Sequence, residues 1–210
     1  MSAALTPIPN WLDVSRETSD KLSAMLTLVT KWNPAINLVS TSSLGDGWNR
    51  HVLDSAQLVL HCRNVTGRWL DVGSGAGFPG LVVAILLDRI PQSARITMVE
   101  SDRRKATFLS VAARELDLAV DVICDRIEAL GDLQASVVSA RAFAPLPKLL
   151  GDVRRHLLPD GMCLFLKGQT HQAELVEARQ HWDFACNVLP SKTDGNAVVL
   201  QIQKVRHAQP

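Results

Sequence analysis

A glycine-rich turn at residues 70–80 constrains the fold of this chain more than any other feature. The segment reads LDVGSGAGFPG, and its start continues an apolar run that begins near Arg68. Glycines that directly follow a strand let the backbone turn tightly and approach a ligand, because they lack a Cβ atom. A helix that begins after such a turn offers free N–H groups at the same edge of the sheet. The pattern therefore predicts a strand, a ligand-binding turn and a helix in succession.

Strand and helix patterns alternate along the rest of the chain. Short apolar runs predict further strands at 96–100, 120–124, 136–140 and 162–166. Apolar spacing predicts helices at 79–88 and 103–117, and a third that contains Leu149, Leu150, Val153 and Leu157. Residues 182–189 and 197–203 flank the turn sequence KTDGN, which predicts a closing antiparallel hairpin. The alternation predicts an α/β fold with a doubly wound, mostly parallel sheet.

The first third of the chain has helical spacing instead. Within residues 15–32 the apolar residues that recur at steps of three and four are Leu22, Met25, Leu26, Val29 and Trp32. A second helix is predicted at 48–61, and Pro34, Gly45 and Gly47 predict an irregular connection between the two. We therefore expect a helical segment, residues 1–65, packed on a domain of residues 66–210.

Composition limits the kind of protein more than it identifies a function. A chain of 210 residues with 47% hydrophobic residues can bury a core without disulfides or metal. Its widely spaced cysteines form no CxxC pair and are predicted to be reduced core thiols rather than metal ligands: Cys62, Cys124, Cys163 and Cys186. No run approaches the length of a membrane span, and residues 1–11 have no basic start, so we expect a cytoplasmic protein. We also expect a monomer. A net charge of +1 means that contact with RNA has to come from local clusters.

Two cofactor classes fit the glycine turn. Its glycines also satisfy GxGxxG, so a nicotinamide dinucleotide, and hence a reductase, remains an alternative. Asp71 lies two residues before Gly73, which gives the acid-apolar-GxGxG form usual in methyltransferases, and its carboxylate is expected to face the ammonium or sulfonium end of the ligand. Glu100, at the end of the next strand, can accept both ribose hydroxyls of either cofactor. With the terminal hairpin, the pattern favours S-adenosylmethionine, with the Gly75 backbone beside it.

The segment that follows the fourth strand limits the substrate chemistry. Residues 139–146, SARAFAPL, are expected to border the transferred methyl group. They contain neither the Asp/Asn-Pro-Pro-aromatic sequence of many exocyclic-amine methyltransferases nor the cysteine needed to methylate a pyrimidine carbon. A ring nitrogen such as guanine N7 needs neither, because its lone pair attacks without loss of a proton and positioning can suffice. Nitrogens of proteins and small molecules also fit this description.

Five further or extended motifs follow one another along the chain: KWNPAINL at 31–38, RHVLDS at 50–55, DVGSGAGFPG at 71–80, SARAFAPL at 139–146 and LKGQ at 166–169. In this order they resemble the motifs of the bacterial 16S rRNA guanine-N7 methyltransferases, the glucose-inhibited division protein B family. The resemblance implies 16S rRNA, or the small ribosomal subunit, as partner. It implies cofactor contacts at Gly73, Phe78, Ile127, Glu128 and Arg141. It also implies that Arg50, His51 and Arg141 position the reactants without a general base, and that Arg50 and Lys167 contact RNA.

A run of three basic residues has two interpretations. Arg103, Arg104 and Lys105 begin a predicted helix, where positive charge opposes the helix dipole. The run is either a solvated helix face or a phosphate-binding cluster for RNA. A non-catalytic protein that senses S-adenosylmethionine and binds a partner through its helical segment also remains an alternative.

Overall fold

A seven-stranded sheet forms the centre of the computed structural model, which describes residues 8–62, 65–88, 90 and 94–208. The strands are β1 (Arg68–Val72), β2 (Arg95–Val99), β3 (Val120–Ile123), β4 (Ala135–Arg141), β5 (Leu157–Lys167), β6 (Trp182–Pro190) and β7 (Val198–His207). Their order is β3-β2-β1-β4-β5-β7-β6. Strands β1 to β5 pair in parallel, and β7 is antiparallel to both β5 and β6. The predicted doubly wound sheet with its closing hairpin is confirmed.

Helices cover both faces of the sheet and account for the apolar strands. They are α1 (Arg16–Ile36), α2 (Thr41–Leu44), α3 (Asp54–Ala56), α4 (Gly80–Leu87), α5 (Arg103–Glu115), α6 (Leu146–Val153) and α7 (His171–Ala178). Strand β1 is buried on both faces, with Trp69, Leu70 and Val72 each at 0% exposure. A parallel strand covered on both sides reads as a continuous apolar run, and this is why β1 was recognisable. The order of strands reverses between β1 and β4, where ligands bind in such sheets.

The region predicted as one helix at 48–61 is helical throughout but changes its hydrogen-bonding pattern. A π-helix, Trp48–Leu53, leads into α3, and a 3-10 helix, Gln57–His61, follows. The π-helical turn carries Arg50 and His51. Such turns occur often at functional sites.

The N-terminal helices and the sheet share one hydrophobic core. Leu22, Met25 and Val29 of α1 belong to the same buried cluster as Trp69 of β1 and Phe108 of α5. The predicted boundary between residues 65 and 66 stays a prediction, and residues 63–64 beside it lie outside the described residues. Residues 1–7, on which the expectation of no N-terminal signal rested in part, also lie outside them.

Two element predictions were wrong at their ends. Helix α1 continues through Pro34, ends at Ile36 and is capped by Asn37, which is left-handed at φ 49°. Pro34 lies in the last turn and cannot make the hydrogen bond to the Thr30 carbonyl, but the Asn37 N–H still closes the turn on the Asn33 carbonyl at 2.9 Å. Leu157 begins strand β5 and pairs with Ala135, although its spacing continues the apolar face of α6. Pairing with the sheet overrides that spacing.

The cysteines are free, but not all of them are in the core. Cys62 and Cys163 are buried, Cys186 is half-buried and Cys124 is exposed. The prediction of a core thiol was wrong for Cys124, because the chain leaves the sheet directly after β3. Burial raises the pKa of the Cys62 thiol to about 12. Within the described ranges no group of His, Cys, Asp or Glu side chains is arranged to hold a metal ion, and no helix is long and apolar enough to cross a membrane.

Candidate active site

A cavity of about 700 Å³ opens at the carboxyl edge of the parallel strands. That volume lies in the range of small-ligand sites. Most of the residues expected at the site line it: Arg50, His51, Gly73, Gly75, Phe78, Glu100, Lys105, Ile127, Glu128 and Arg141. These residues come from five separate regions of the sequence, and the fold brings them together.

The glycine turn forms one wall of this cavity. Gly73, Gly75 and Gly77 have positive φ angles of 66°, 53° and 85°, which side-chain-bearing residues rarely adopt. The N–H groups of Gly73 and Ser74 both donate to the carbonyl oxygen of Val99, at 2.9 and 3.1 Å. The turn is thereby folded over the end of β2, as a ligand-binding turn requires.

Glu100 is fixed on the same wall by two backbone hydrogen bonds. Its Oε2 accepts from the Gly75 N–H and its Oε1 from the Asp102 N–H, both at 2.8 Å. The residue is 8% exposed and lines the cavity. Each carboxylate oxygen keeps a further lone pair, so the group can still accept from hydroxyl groups of a ligand.

Asp71 lies beneath the turn rather than on the cavity wall. Its Oδ1 accepts from the Ser139 hydroxyl at 2.6 Å, and its Oδ2 accepts from the Gly80 N–H at 3.1 Å. It is fully buried, and burial raises its pKa to about 6 against the opposing effect of these hydrogen bonds. The structure therefore does not bring this carboxylate to the cavity; it joins β1 to β4 and to the start of α4.

Arg141 and His51 meet at the opposite wall. One terminal nitrogen of Arg141 donates to His51 Nδ1 and to the Arg50 carbonyl oxygen, each at 2.9 Å. Since His51 Nδ1 accepts, its Nε2 carries the proton and donates to Ser43 Oγ at 2.9 Å; that hydroxyl donates to the Ser40 carbonyl. Burial, and then the charges of Arg141 and Arg50, lower the His51 pKa to about 4. The imidazole is neutral near pH 7, and both of its nitrogens are engaged.

Asp54 balances the charge of Arg141, a role that the sequence analysis missed. Its Oδ2 lies 3.7 Å from Arg141, and both side chains are less than one fifth exposed. Burial raises the pKa of Asp54 above its ordinary value, and Arg141 and hydrogen bonds from Thr193 and Gln57 only partly oppose this effect. The signal was present in RHVLDS, where Asp54 follows His51 by three residues and so shares its helix face.

Phe78 packs against both His51 and Arg141. Its ring stacks on the His51 imidazole, with centroids 5.0 Å apart, and the Arg141 guanidinium lies 5.2 Å from the same ring. A cation over an aromatic face is attracted electrostatically. The arrangement fixes the planes of His51 and Arg141 at the edge of the cavity.

A second cavity, of about 1060 Å³, adjoins the first. The two share Arg50, His51 and Arg141, and both are bordered by residues 142–144, which we name the dividing loop. Lys167 lies on the second cavity, but its ammonium donates to the Ala144 carbonyl at 2.8 Å and to Glu174 Oε2 at 2.7 Å. The RNA contact expected for Lys167 stays a prediction, and its observed partners lie within the protein.

The basic run at the start of α5 is capped by an acid. Asp102 accepts from the N–H groups of Arg104 and Lys105, at 2.8 and 3.3 Å. These hydrogen bonds lower the pKa of Asp102, and its charge offsets the unfavourable dipole interaction of the basic run. Arg103 and Arg104 are exposed, and Lys105 faces the first cavity.

Comparison with known proteins covers the fold and the sequence separately. The fold is shared with a solved SAM-dependent methyltransferase from Aquifex aeolicus, with a TM-score of 0.56 at 15% identity over 84% of this chain and 96% of that one. A relative named ribosomal RNA small subunit methyltransferase G from Cereibacter sphaeroides is 51% identical over 196 residues, which is 93% of this chain and 95% of the relative. One of the same name from Paracoccus denitrificans is 46% identical over 94% of this chain and its own full length.

The family model described as GidB, rRNA small subunit methyltransferase G, matches residues 18–196. This span contains all five motifs on which the resemblance rested, and that resemblance is confirmed. The chain therefore belongs to the rRNA small subunit methyltransferase G family.

Proposed function

We propose that this protein transfers a methyl group from S-adenosylmethionine to N7 of a guanine in the 16S rRNA of the small ribosomal subunit. The names of its close relatives support an rRNA substrate. The observation that carries the proposal is the placement of the glycine turn, Glu100 and Arg141 around one cavity. Membership of this family does not favour the two alternatives, a nicotinamide-dependent reductase and a non-catalytic protein that senses S-adenosylmethionine. The substrate also supports a cytoplasmic location, and a monomer is part of the proposal.

The residues of the first cavity fit a sulfonium nucleoside. A Cβ atom built on Gly75 would have only the Gly73 carbonyl near it, at 3.8 Å, so the space before the turn is open and a larger side chain would fill it. Glu100 supplies fixed acceptors for the ribose hydroxyls, and buried Ile127 supplies an apolar surface, with Glu128 beside it. Asp71 acts by holding the turn rather than by touching the ligand. When bound, S-adenosylmethionine supplies an electrophilic methyl group.

The protein's contribution to the chemistry is positioning. Guanine N7 attacks with a lone pair and loses no proton, so no general base is needed. His51 fits this requirement, because it is neutral and both nitrogens already have partners. Arg141 borders both cavities, and we assign it, with His51 and Arg50, to holding the guanine against the methyl donor. Alignment of two reactants in this way can remove a large share of the free-energy barrier to their reaction.

Recognition of RNA is assigned to exposed basic groups at the cavity mouth. Arg50 is exposed and, like Lys105, lines the first cavity, while Arg103 and Arg104 are exposed and directly precede Lys105 in the chain. Because the net charge is only +1, we expect weak binding to arbitrary RNA and dependence on a folded ribosomal surface. A protein can reach the edge of a guanine that lies in an RNA loop, but not the edge of one in the deep groove of an RNA helix.

The test combines ligand binding with methyl transfer. S-adenosylmethionine at a hundredfold excess over its dissociation constant should stabilise the fold by about 2.7 kcal/mol, and NAD should not. Gly75→Val should lose this response, whereas Gly131→Val, at a position where a Cβ meets nothing within 4 Å, should keep it. Labelled methyl groups should then enter small subunits and leave short hairpins unlabelled. Stabilisation by NAD alone, or methylation confined to protein, would overturn the proposal.

A further inference from the structure

Three contacts hold the dividing loop in place between the two cavities. Lys167 at the end of β5 donates to the carbonyl oxygen of Ala144, at 2.8 Å. Glu174 of α7 accepts from the N–H of Leu146, at 2.9 Å, where the loop enters α6. Phe143 packs over the glycine turn so closely that a Cβ on Gly73 would collide with its ring. The loop is therefore tied to the cofactor side by packing and to the far side by a charged pair.

Lys167 and Glu174 also bind each other, at 2.7 Å between Nζ and Oε2. Their side chains are only 11% and 17% exposed. Thr170 donates to the other carboxylate oxygen of Glu174, at 3.0 Å. Burial raises the pKa of Glu174, but the hydrogen bonds from Lys167, Leu146 and Thr170 outweigh it and leave the pKa below its ordinary value. The pair is charged, enclosed and joined to the loop by both of its members.

We infer that Lys167 and Glu174 are positioning residues that fix the dividing loop, and with it the guanine, against the methyl donor. This inference rests on the proposed function and assigns Lys167 a role different from the phosphate contact expected from sequence. A phosphate contact needs an ammonium that faces solvent, whereas this ammonium faces a carbonyl and a carboxylate of its own chain. Displacement of a reactant by about 1 Å is enough to lower a rate about a hundredfold.

The directions of the hydrogen bonds make the pair specific. The Ala144 carbonyl needs a donor and the Leu146 N–H needs an acceptor, and Lys167 and Glu174 supply these respectively. Exchange of the two side chains would restore an ion pair but would place a carboxylate against the carbonyl and an ammonium against the N–H. A pair that only contributes charge would tolerate the exchange, and a pair that fixes the loop would not.

The kinetic test uses two substitutions that change the net charge in opposite directions. Lys167→Met and Glu174→Leu should each lower kcat on small subunits about 10- to 100-fold, with KM for S-adenosylmethionine and the salt dependence of RNA affinity unchanged. The double variant should be no slower than the slower single variant, because the residues act as a unit. Glu174→Gln keeps an acceptor for Leu146 and should retain most of kcat. Lys21→Met removes one member of another lysine–carboxylate pair, with Asp88 at 2.8 Å and 21% and 25% exposure, and should leave kcat unchanged.

A readout independent of activity is the amide exchange of Leu146. Its side chain is fully buried, and its N–H should exchange faster in Glu174→Leu but not in Glu174→Gln or Lys21→Met. The exchanged pair Lys167→Glu with Glu174→Lys should stay slow in methyl transfer. If Glu174→Leu fails to fold, the comparison of kcat between Lys167→Met and Lys21→Met tests the inference.

Two outcomes would overturn the inference. One is a normal kcat in Lys167→Met with a weakened salt dependence of RNA binding, which would make Lys167 a phosphate contact. The other is recovery of activity in the exchanged pair. Absence of methylation by the unsubstituted protein would instead contradict the proposed function, so the two failures are distinguishable.

Discussion

His51 is held neutral by its surroundings, and this state determines what the residue can contribute. Arg141 donates to one ring nitrogen, and the other donates to Ser43. A protonated ring would place a second positive charge beside the Arg141 guanidinium. The folded protein therefore resists protonation of His51 until the pH approaches about 4.

This resistance predicts a pH dependence of stability that His51→Gln should remove. The unfolded chain protonates His51 below about pH 6.5, whereas the folded chain does so only near pH 4, so the His51 contribution to stability falls as the pH drops through this window. Its size is up to about tenfold in the folding equilibrium for each pH unit. Asp71, with a pKa raised to about 6, changes stability in the opposite sense, so wild type and variant must be compared at each pH. The free energies of unfolding of the unsubstituted protein and of His51→Gln are measured by denaturation from pH 7 to pH 4.5. A constant difference between the two across this range would contradict this account.

Glu100 and His51 should separate binding from chemistry. Glu100→Ala removes a charge-assisted hydrogen bond to the ribose, worth about 1.5–3 kcal/mol, and should weaken S-adenosylmethionine binding accordingly. His51→Ala should leave cofactor affinity nearly unchanged and lower methyl transfer to RNA. Calorimetry measures the first effect, and single-turnover kinetics with saturating cofactor measure the second. Equal loss of cofactor affinity in both variants would show that this division of roles is wrong.

At the scale of elements, the start of α5 combines a cap with the basic run that we propose as an RNA contact. Asp102 accepts from the N–H groups of Arg104 and Lys105, and its carboxylate also lies 3.5 Å from the Arg104 guanidinium, whose side chain is still 68% exposed. Replacement of Arg103, Arg104 and Lys105 by alanine should make RNA affinity less dependent on salt. The slope of log affinity against log salt concentration should become shallower by about 0.7–0.9 for each phosphate contact that is lost. Arg114→Ala, in the last turn of the same helix, is the matched control. An unchanged slope in the triple variant would assign the run to a solvated helix face.

Elements with a strong local signal could be predicted from the sequence, and long-range contacts could not. The strands and the glycine turn follow from apolar runs and from glycines at fixed spacing. Leu157 was misplaced because an apolar spacing cannot reveal that a strand partner, Ala135, lies beside it. Glu174 was missed because its partner Leu146 is 28 residues away and its role exists only in the folded chain. Asp71 was correctly placed near the turn, but its motif does not reveal the direction of its carboxylate.

At the scale of the whole molecule, the helical region before β1 contributes residues to the candidate active site as well as to the core. Arg50, His51 and Asp54 come from the helical run before β1, and Arg141 comes from the end of β4. The shared core under both regions holds these groups in register. Asp54 and Gln57 extend the connection to the turn of the closing hairpin through Thr193 and Ser191. The site thus depends on contacts between distant parts of one chain.

The central claim concerns the atom that is methylated, and one measurement tests it most directly. Small subunits that lack the modification are incubated with the protein and S-adenosylmethionine, and the 16S rRNA is mapped by strand cleavage specific for N7-methylated guanine. We expect cleavage at a single guanine, with Lys167→Met giving the same position at a lower rate. Incorporation of methyl groups without N7 cleavage, or at an exocyclic amine, would contradict the account.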